Sequence, residues 1–179
     1  MRTALLAAAL ASACVIDELD EADVGDEPFC DAARQWPEAY AALETALAAR
    51  IDRARRRGTD CGETAHNPIG ELELVPELHC AARLHATYIA EHSGLSHEGM
   101  DHTTPLARTN LAGYDGLLRY ELLARDFTAS QALLDAWLAD QQQCDALLDT
   151  KIVEIGVGHS RNEKGDATGW VVVLGERRP

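Results

Sequence analysis

The chain has 179 residues, with 30 acidic against 16 basic side chains and a formal net charge of −14 when histidines are neutral. That balance excludes nucleic acid and an anionic membrane face as partners, because both would repel it. The length suits one domain with its own buried core, and no internal repeat divides it.

Residues 1–13, MRTALLAAALASA, hold one basic residue near the start, a short apolar run and a small-residue end. This is the pattern of an export signal and is too short to span a bilayer. Ala11-Ser12-Ala13 fits ordinary signal peptidase, while LASAC resembles a bacterial lipoprotein box with Ala at its first position, where Leu is commoner. We take the second alternative. It makes Cys14 the lipidation site and places the chain at the bacterial outer membrane or cell surface, with simple secretion otherwise. Five cysteines are an odd number for an oxidising compartment, and lipidating Cys14 leaves Cys30, Cys61, Cys80 and Cys144. Four cysteines allow three pairings, and without a C-x-x-C pair a disulfide framework is favoured over a metal site.

From Asp17 to Glu27 there are seven acids and no base. Such a stretch stays solvated, so residues 14–28 are expected to form an acidic disordered tether and residues 29–179 the folded domain. Pro37 then opens a helix with Tyr40, Leu43, Leu47 and Ile51 on one face, closed by Gly58. Its Arg53, Arg55, Arg56 and Arg57 suit the negative end of the helix dipole. A second helix runs from Pro76 to about residue 93, before Gly94, with Leu78, Ala82, His85 and Ile89 as its core stripe. Cys80 lies off that stripe, free to reach a neighbour, and His97 falls in the exit loop. A short helix follows from Thr103-Thr104-Pro105 to Gly113. Thr128 and Gln131 form a capping box for a further helix that buries Leu133, Leu134, Trp137 and Leu138.

The last forty residues change period. KIVEIGVGH and ATGWVVVLG are rich in β-branched residues, and RNEKGD between them is a turn, which predicts a hairpin with His159 at the surface. Helices precede strands, so the fold class is α+β, with helices packed on a small antiparallel sheet.

LHCAARLHATYIAEHSGLSHEGMDHTTPLARTNLAGY, the Glu121 segment, AWLADQQQCDALL and VEIGVGH together resemble bacterial members of the CAP superfamily, the cysteine-rich secretory, antigen 5 and pathogenesis-related 1 proteins, also called the SCP domain. The likeness runs in order from about Leu43 to Gly175. It implies an α/β/α sandwich around a central antiparallel sheet. It also implies a cleft lined by two histidines and two acids, which in some members holds a divalent cation. His97 matches the first histidine. Glu121 falls where the family writes Gly-Glu-Asn, with only the glutamate kept, and Asp140 falls where other members carry Glu or Ser. Gln143 stands where the second histidine is expected, thirteen residues before Gly156.

The cleft set is therefore His97, Glu121, Asp140 and Gln143, with His102 as a candidate replacement imidazole. His97 and Glu121 would be the ligands of a weak site for Zn²⁺ or Ca²⁺, and no cofactor is required. Neutral glutamine is a poor zinc ligand. His97 and His102 are five residues apart, about 140° on a helix, so only a loop could bring them, or a triad with His92, together. His85 is expected to be a packed helix histidine. Tyr114, Tyr120 and Trp170 are candidate cleft aromatics, against the commoner role of rings in a core.

The same resemblance implies that Cys80 pairs with Cys144, as in His-Cys bacterial variants, which leaves Cys30 with Cys61. It further implies a non-enzymatic exported binding module for a small apolar ligand, a lipid or sterol, or an extracellular protein, touching membrane only through its anchor. One alternative is a metal-dependent hydrolase or protease at His97 and Glu121; another is a structural cell-envelope protein. The chain has no G-x-S-x-G elbow and no H-E-x-x-H, and Ser96 beside His97 has no demonstrated base.

Overall fold

The computed structural model describes residues 24–178, so the export signal, Cys14 and the first part of the acidic stretch lie outside the described residues. Val24 is buried, packed among Cys30, Ala33, Cys80 and Ala112. Arg34 donates to the carbonyls of Gly25 and Glu27. Residues 24–28, expected in the tether, thus belong to the folded unit, anchored by one apolar side chain among acids.

Among the described residues six α-helices follow: α1 (Asp31–Arg34), α2 (Glu38–Arg57), α3 (Pro76–Glu91), α4 (Pro105–Leu111), α5 (Ser130–Ala139) and α6 (Gln141–Leu147). The strands are β1 (Asp60–Cys61), β2 (Thr64–Ala65), β3 (Glu73–Leu74), β4 (Leu117–Arg125), β5 (Glu154–Arg161) and β6 (Thr168–Glu176). The expected hairpin is β5–β6, centre of a sheet ordered β3-β5-β6-β4. The sheet is antiparallel except at β3, a two-residue strand that pairs parallel with β5. β4, which the sequence pattern left unassigned, pairs with β6 along its length and carries Glu121.

Apolar alternation gives the sheet two dry faces. On one, Leu78, Ala82, Ala86 and Ile89 of α3 meet Leu123, Val171 and Val173. On the other, Leu47 and Ile51 of α2, Leu133, Leu134 and Trp137 of α5 and Leu147 of α6 meet Leu122, Val172 and Leu174. The result is an α/β/α sandwich. Helix α3 lies so close to the sheet that a Cβ at Gly156 would stand 2.1 Å from the Leu78 carbonyl carbon. One at Gly158 would stand 2.3 Å from that of Ala82, and one at Gly169 2.1 Å from the Ala86 oxygen.

The disulfides join Cys30 to Cys80 and Cys61 to Cys144, not Cys80 to Cys144 and Cys30 to Cys61. The sheet explains the correction. Helices α3 and α6 pack on opposite faces, so a Cys80–Cys144 bond would have to cross it. Cys80 instead turns toward the N-terminal segment, and Cys144 toward the loop after α2.

Two local expectations also change. Helix α5 starts at Ser130 with no side-chain cap, because Gln131 bonds to Arg50 and Asp135 in place of reaching back to Thr128. Arg55 stands in the last turn of α2 as expected and is buried there, donating to the carbonyls of Leu147 and Ile152, each at 2.6 Å. His159 is buried too, its ring 4.0 Å from that of Trp170, because it points inward from a central strand.

A polar knot ties α2 to α3 and β5. Buried Glu44 accepts from Trp36 Nε1 at 2.8 Å, the His159 amide at 2.8 Å, His79 Nε2 at 3.1 Å and Arg83 Nη2 at 2.8 Å. The Val157 amide donates to His79 Nδ1, which makes Nε2 the protonated nitrogen of that ring. Burial pushes the Glu44 carboxyl up, but the His79 and Arg83 contacts outweigh it and hold the group below its usual range.

Candidate functional site: a cleft over the edge strand

The loop after α3 is held by side chains beneath it. Helix α3 ends with the His92 amide on the Tyr88 carbonyl, and Gly94 then takes φ +93°, a left-handed conformation that favours glycine. His85 Nε2 donates to the Ser96 carbonyl at 2.9 Å, while Arg108 donates to the carbonyls of His97 at 3.1 Å and Thr103 at 2.6 Å. Gly99 lets the loop settle onto both, since a Cβ there would meet His85 Nδ1 at 2.9 Å and Arg108 Nη1 at 3.0 Å. His85 is fully buried, and its pKa is pushed down to about 3 by burial first and by the Arg108 charge second.

Strand β4 turns Glu121 toward this loop. Its side chain is 2% exposed, and Arg108 Nη2 donates to Oε2 at 2.6 Å. His97 Nδ1 donates to Oε1 at 2.8 Å, although 62% of the His97 side chain is exposed. A buried Arg108–Glu121 pair therefore carries an open imidazole whose Nε2 has no partner among the described residues. Across β4, Asp140 caps α6 by accepting from the Gln143 amide at 2.9 Å, which aims Gln142 and Gln143 back over the strand. Leu95, His97, Tyr120, Glu121, Gln143 and Ala146 are among the walls of a recess of about 280 Å³.

Of the five predicted cleft residues, His97, Glu121 and Gln143 come together. Asp140 serves as a helix cap and is not in the lining. His102 is 91% exposed, contacts Glu98 and lies in a separate hollow with His92 and Tyr88. His92 stacks on Tyr88 at 4.0 Å and does not converge on His97. Of the candidate aromatics only Tyr120 lines the recess, while Tyr114 and Trp170 are core. Arg108 and His85 were missed as parts of the site. For Arg108 a signal existed: it stands four residues before buried Ala112, on the inward face of a short helix.

The residues present do not fit a divalent cation. Both oxygens of Glu121 are engaged, one by a guanidinium that already supplies the positive charge, and the second histidine position holds a neutral amide. Among the described residues the one grouping of three close ligand-type side chains is Cys61, His66 and Asp145. Cys61 is locked in a disulfide and offers no thiolate.

The family model for the cysteine-rich secretory protein family, CAP, matches residues 48–174. No curated protein sequence matches the chain significantly. Among solved structures, an outer surface protein of Borrelia burgdorferi aligns with TM-score 0.61 at 23% identity, over 75% of this chain and 92% of that one. An extracellular SCP-domain protein of Bacillus anthracis aligns with TM-score 0.63 at 16% identity, over 78% of this chain and 41% of that one. A cysteine-rich secretory protein of Staphylococcus aureus aligns with TM-score 0.55 at 16% identity, over 78% and 40%. This chain thus spans about two fifths of the latter two.

Proposed function

The chain belongs to the cysteine-rich secretory protein (CAP) family, and from that premise we propose that it is an exported, lipid-anchored, non-enzymatic binding module that works through the His97 cleft. One observation carries this reading: both oxygens of Glu121 are engaged, one by the Arg108 guanidinium and one by His97, and the rest of the recess is lined by amides, leucines, Ala146 and Tyr120, with no serine, threonine or cysteine in that lining beside the open imidazole. Ser96 Oγ is turned to the Glu98 backbone, so it is no nucleophile for His97. Two disulfides, and structural neighbours described as outer-surface or extracellular, support an extracytoplasmic setting.

Location and role are tested on protein made with its own leader. The mature form is expected to begin at Cys14 and to partition into detergent, and Cys14→Ser is expected to release it. Mass spectrometry of the purified chain should find a non-covalent ligand that Gln143→Trp, which fills the recess, excludes. Turnover of peptide or ester substrates that vanishes in His97→Ala would overturn the non-enzymatic reading.

A further inference from the structure

We propose that the cleft takes an extended, neutral-to-basic segment of another protein as an added strand on the free edge of β4; this rests on the binding-module reading and names its occupant. Among the described residues the sheet ends at β4, whose outer edge runs along the floor of the recess, since the lining includes the four consecutive residues Tyr120, Glu121, Leu122 and Leu123. The ladder fixes which groups point outward. The Asp126 amide donates to the Thr168 carbonyl, and Ala124, Leu122 and Tyr120 lie opposite Trp170, Val172 and Leu174. Antiparallel alternation then directs the main-chain groups of those residues to β6 and those of Glu121 and Leu123 away from it.

No backbone or side-chain group among the described residues bonds to the outward N–H and C=O of Glu121 or Leu123. Glu121 shows the same thing by exposure: its side chain is 2% exposed, yet the residue is only half-buried, so the open surface is main chain. Two donors and two acceptors about 7 Å apart along a strand match what one extended chain presents, and no sterol or acyl chain satisfies them.

The walls select the occupant. Exposed Leu95 and His97 rise on one side of the edge, Gln142 and Gln143 on the other, so alternate side chains of an added strand would meet an apolar-imidazole wall and an amide wall. A second copy of the chain is a poor fit, because the edge is recessed between those walls and each copy carries −14. The same charge, with Asp145 and Asp149 on the α6 side, favours a partner segment without acids.

Amide exchange of the free protein comes first. The Glu121 and Leu123 amides are expected to exchange at least about 100-fold faster than those of Leu122 and Ala124; equal protection would mean the edge is already paired and overturns the proposal. Random linear heptapeptides displayed on phage are then selected on the wild-type chain and counter-selected on Gln143→Trp. Binders are expected, with protection gained at Glu121 and Leu123. N-methylation of alternate peptide residues should weaken binding about tenfold per lost hydrogen bond, and methylation of the intervening ones should not. Peptides insensitive to N-methylation, or a lipid or other small molecule as the tight occupant, would overturn strand addition while leaving a binding module. Protection at these amides that rises with protein concentration alone would make the occupant a second copy. If nothing binds and the recess carries no ligand, the binding-module reading falls as well.

Discussion

Arg108 and Glu121 form an ion pair at 2.6 Å with 4% and 2% of their side chains exposed, directly beneath the open ring of His97. Arg108 also holds the backbone of the His97 loop, so one guanidinium sets both the charge and the shape of the cleft. Arg108→Gln removes the cation from a buried carboxylate. It should cost about 3–5 kcal/mol in denaturant unfolding, and more than the loss of an exposed ion pair, which is worth about 1 kcal/mol or less.

The zinc response follows from the same pair. Wild-type protein should show no tight stoichiometric zinc, since Glu121 is engaged and Gln143 is neutral. Gln143→His should bind zinc more tightly than wild type in calorimetry, and His97→Ala in that background should abolish the gain. One tightly held zinc per wild-type chain would contradict this account.

The glycines under α3 make a packing prediction. Gly158→Ala places a methyl 2.3 Å from the Ala82 carbonyl carbon, where only backbone can yield. Separation of α3 from β5 should lower stability by about 3 kcal/mol or more, as overpacking at main chain does. Gly165→Ala is a control for crowding, because its Cβ meets nothing within 4 Å, although its φ of +74° adds a strain of about 1 kcal/mol.

How far the sequence foretold this molecule depends on the range of each interaction. Helices α2 and α3 and the β5–β6 hairpin are local patterns with their own stops, and they stand where periodicity and glycine put them. Strand β4 was not legible, because LLRYELLAR mixes both periods and becomes a strand only by pairing with β6. Cysteine partners depend on which face of the sheet each helix takes, a property of topology that spacing does not carry. The cleft was half legible: His97, Glu121 and Gln143 came from family resemblance, whereas the buried charges of Arg108 and Glu44 look like ordinary surface residues until their partners are seen.

The disulfide pairing is directly testable. Non-reducing peptide mapping should recover Cys30 with Cys80 and Cys61 with Cys144. The bonds span sequence separations of 50 and 83 residues, and each contributes about 4 kcal/mol in the chain-entropy model. Replacing Cys61 and Cys144 together by Ser should also loosen α6, and with it the Gln142–Gln143 wall, so peptide binding should weaken more than in the Cys30/Cys80 double variant.

Acid should destabilise the fold through its buried imidazoles. His85 titrates at about 3 and His159 at about 4, both depressed mainly by burial, against an ordinary value of 6.5. The folded state refuses protons that the unfolded chain accepts, so the stability these rings contribute is fully present above about pH 6.5. It is lost as pH falls through the window from 6.5 toward 3–4. Glu44 adds to the loss below the ordinary carboxylate range, because its lowered pKa means that protonation opposes folding. His85→Gln separates these contributions: its amide can still donate to the Ser96 carbonyl but takes up no proton beside Arg108. Unfolding followed by denaturant from pH 7 to pH 4 should fall less steeply for His85→Gln than for wild type, with the curves parallel above pH 7. Identical slopes across that window would show that His85 takes up its proton in the folded protein as readily as in the unfolded chain, and that burial beside Arg108 does not hold it neutral.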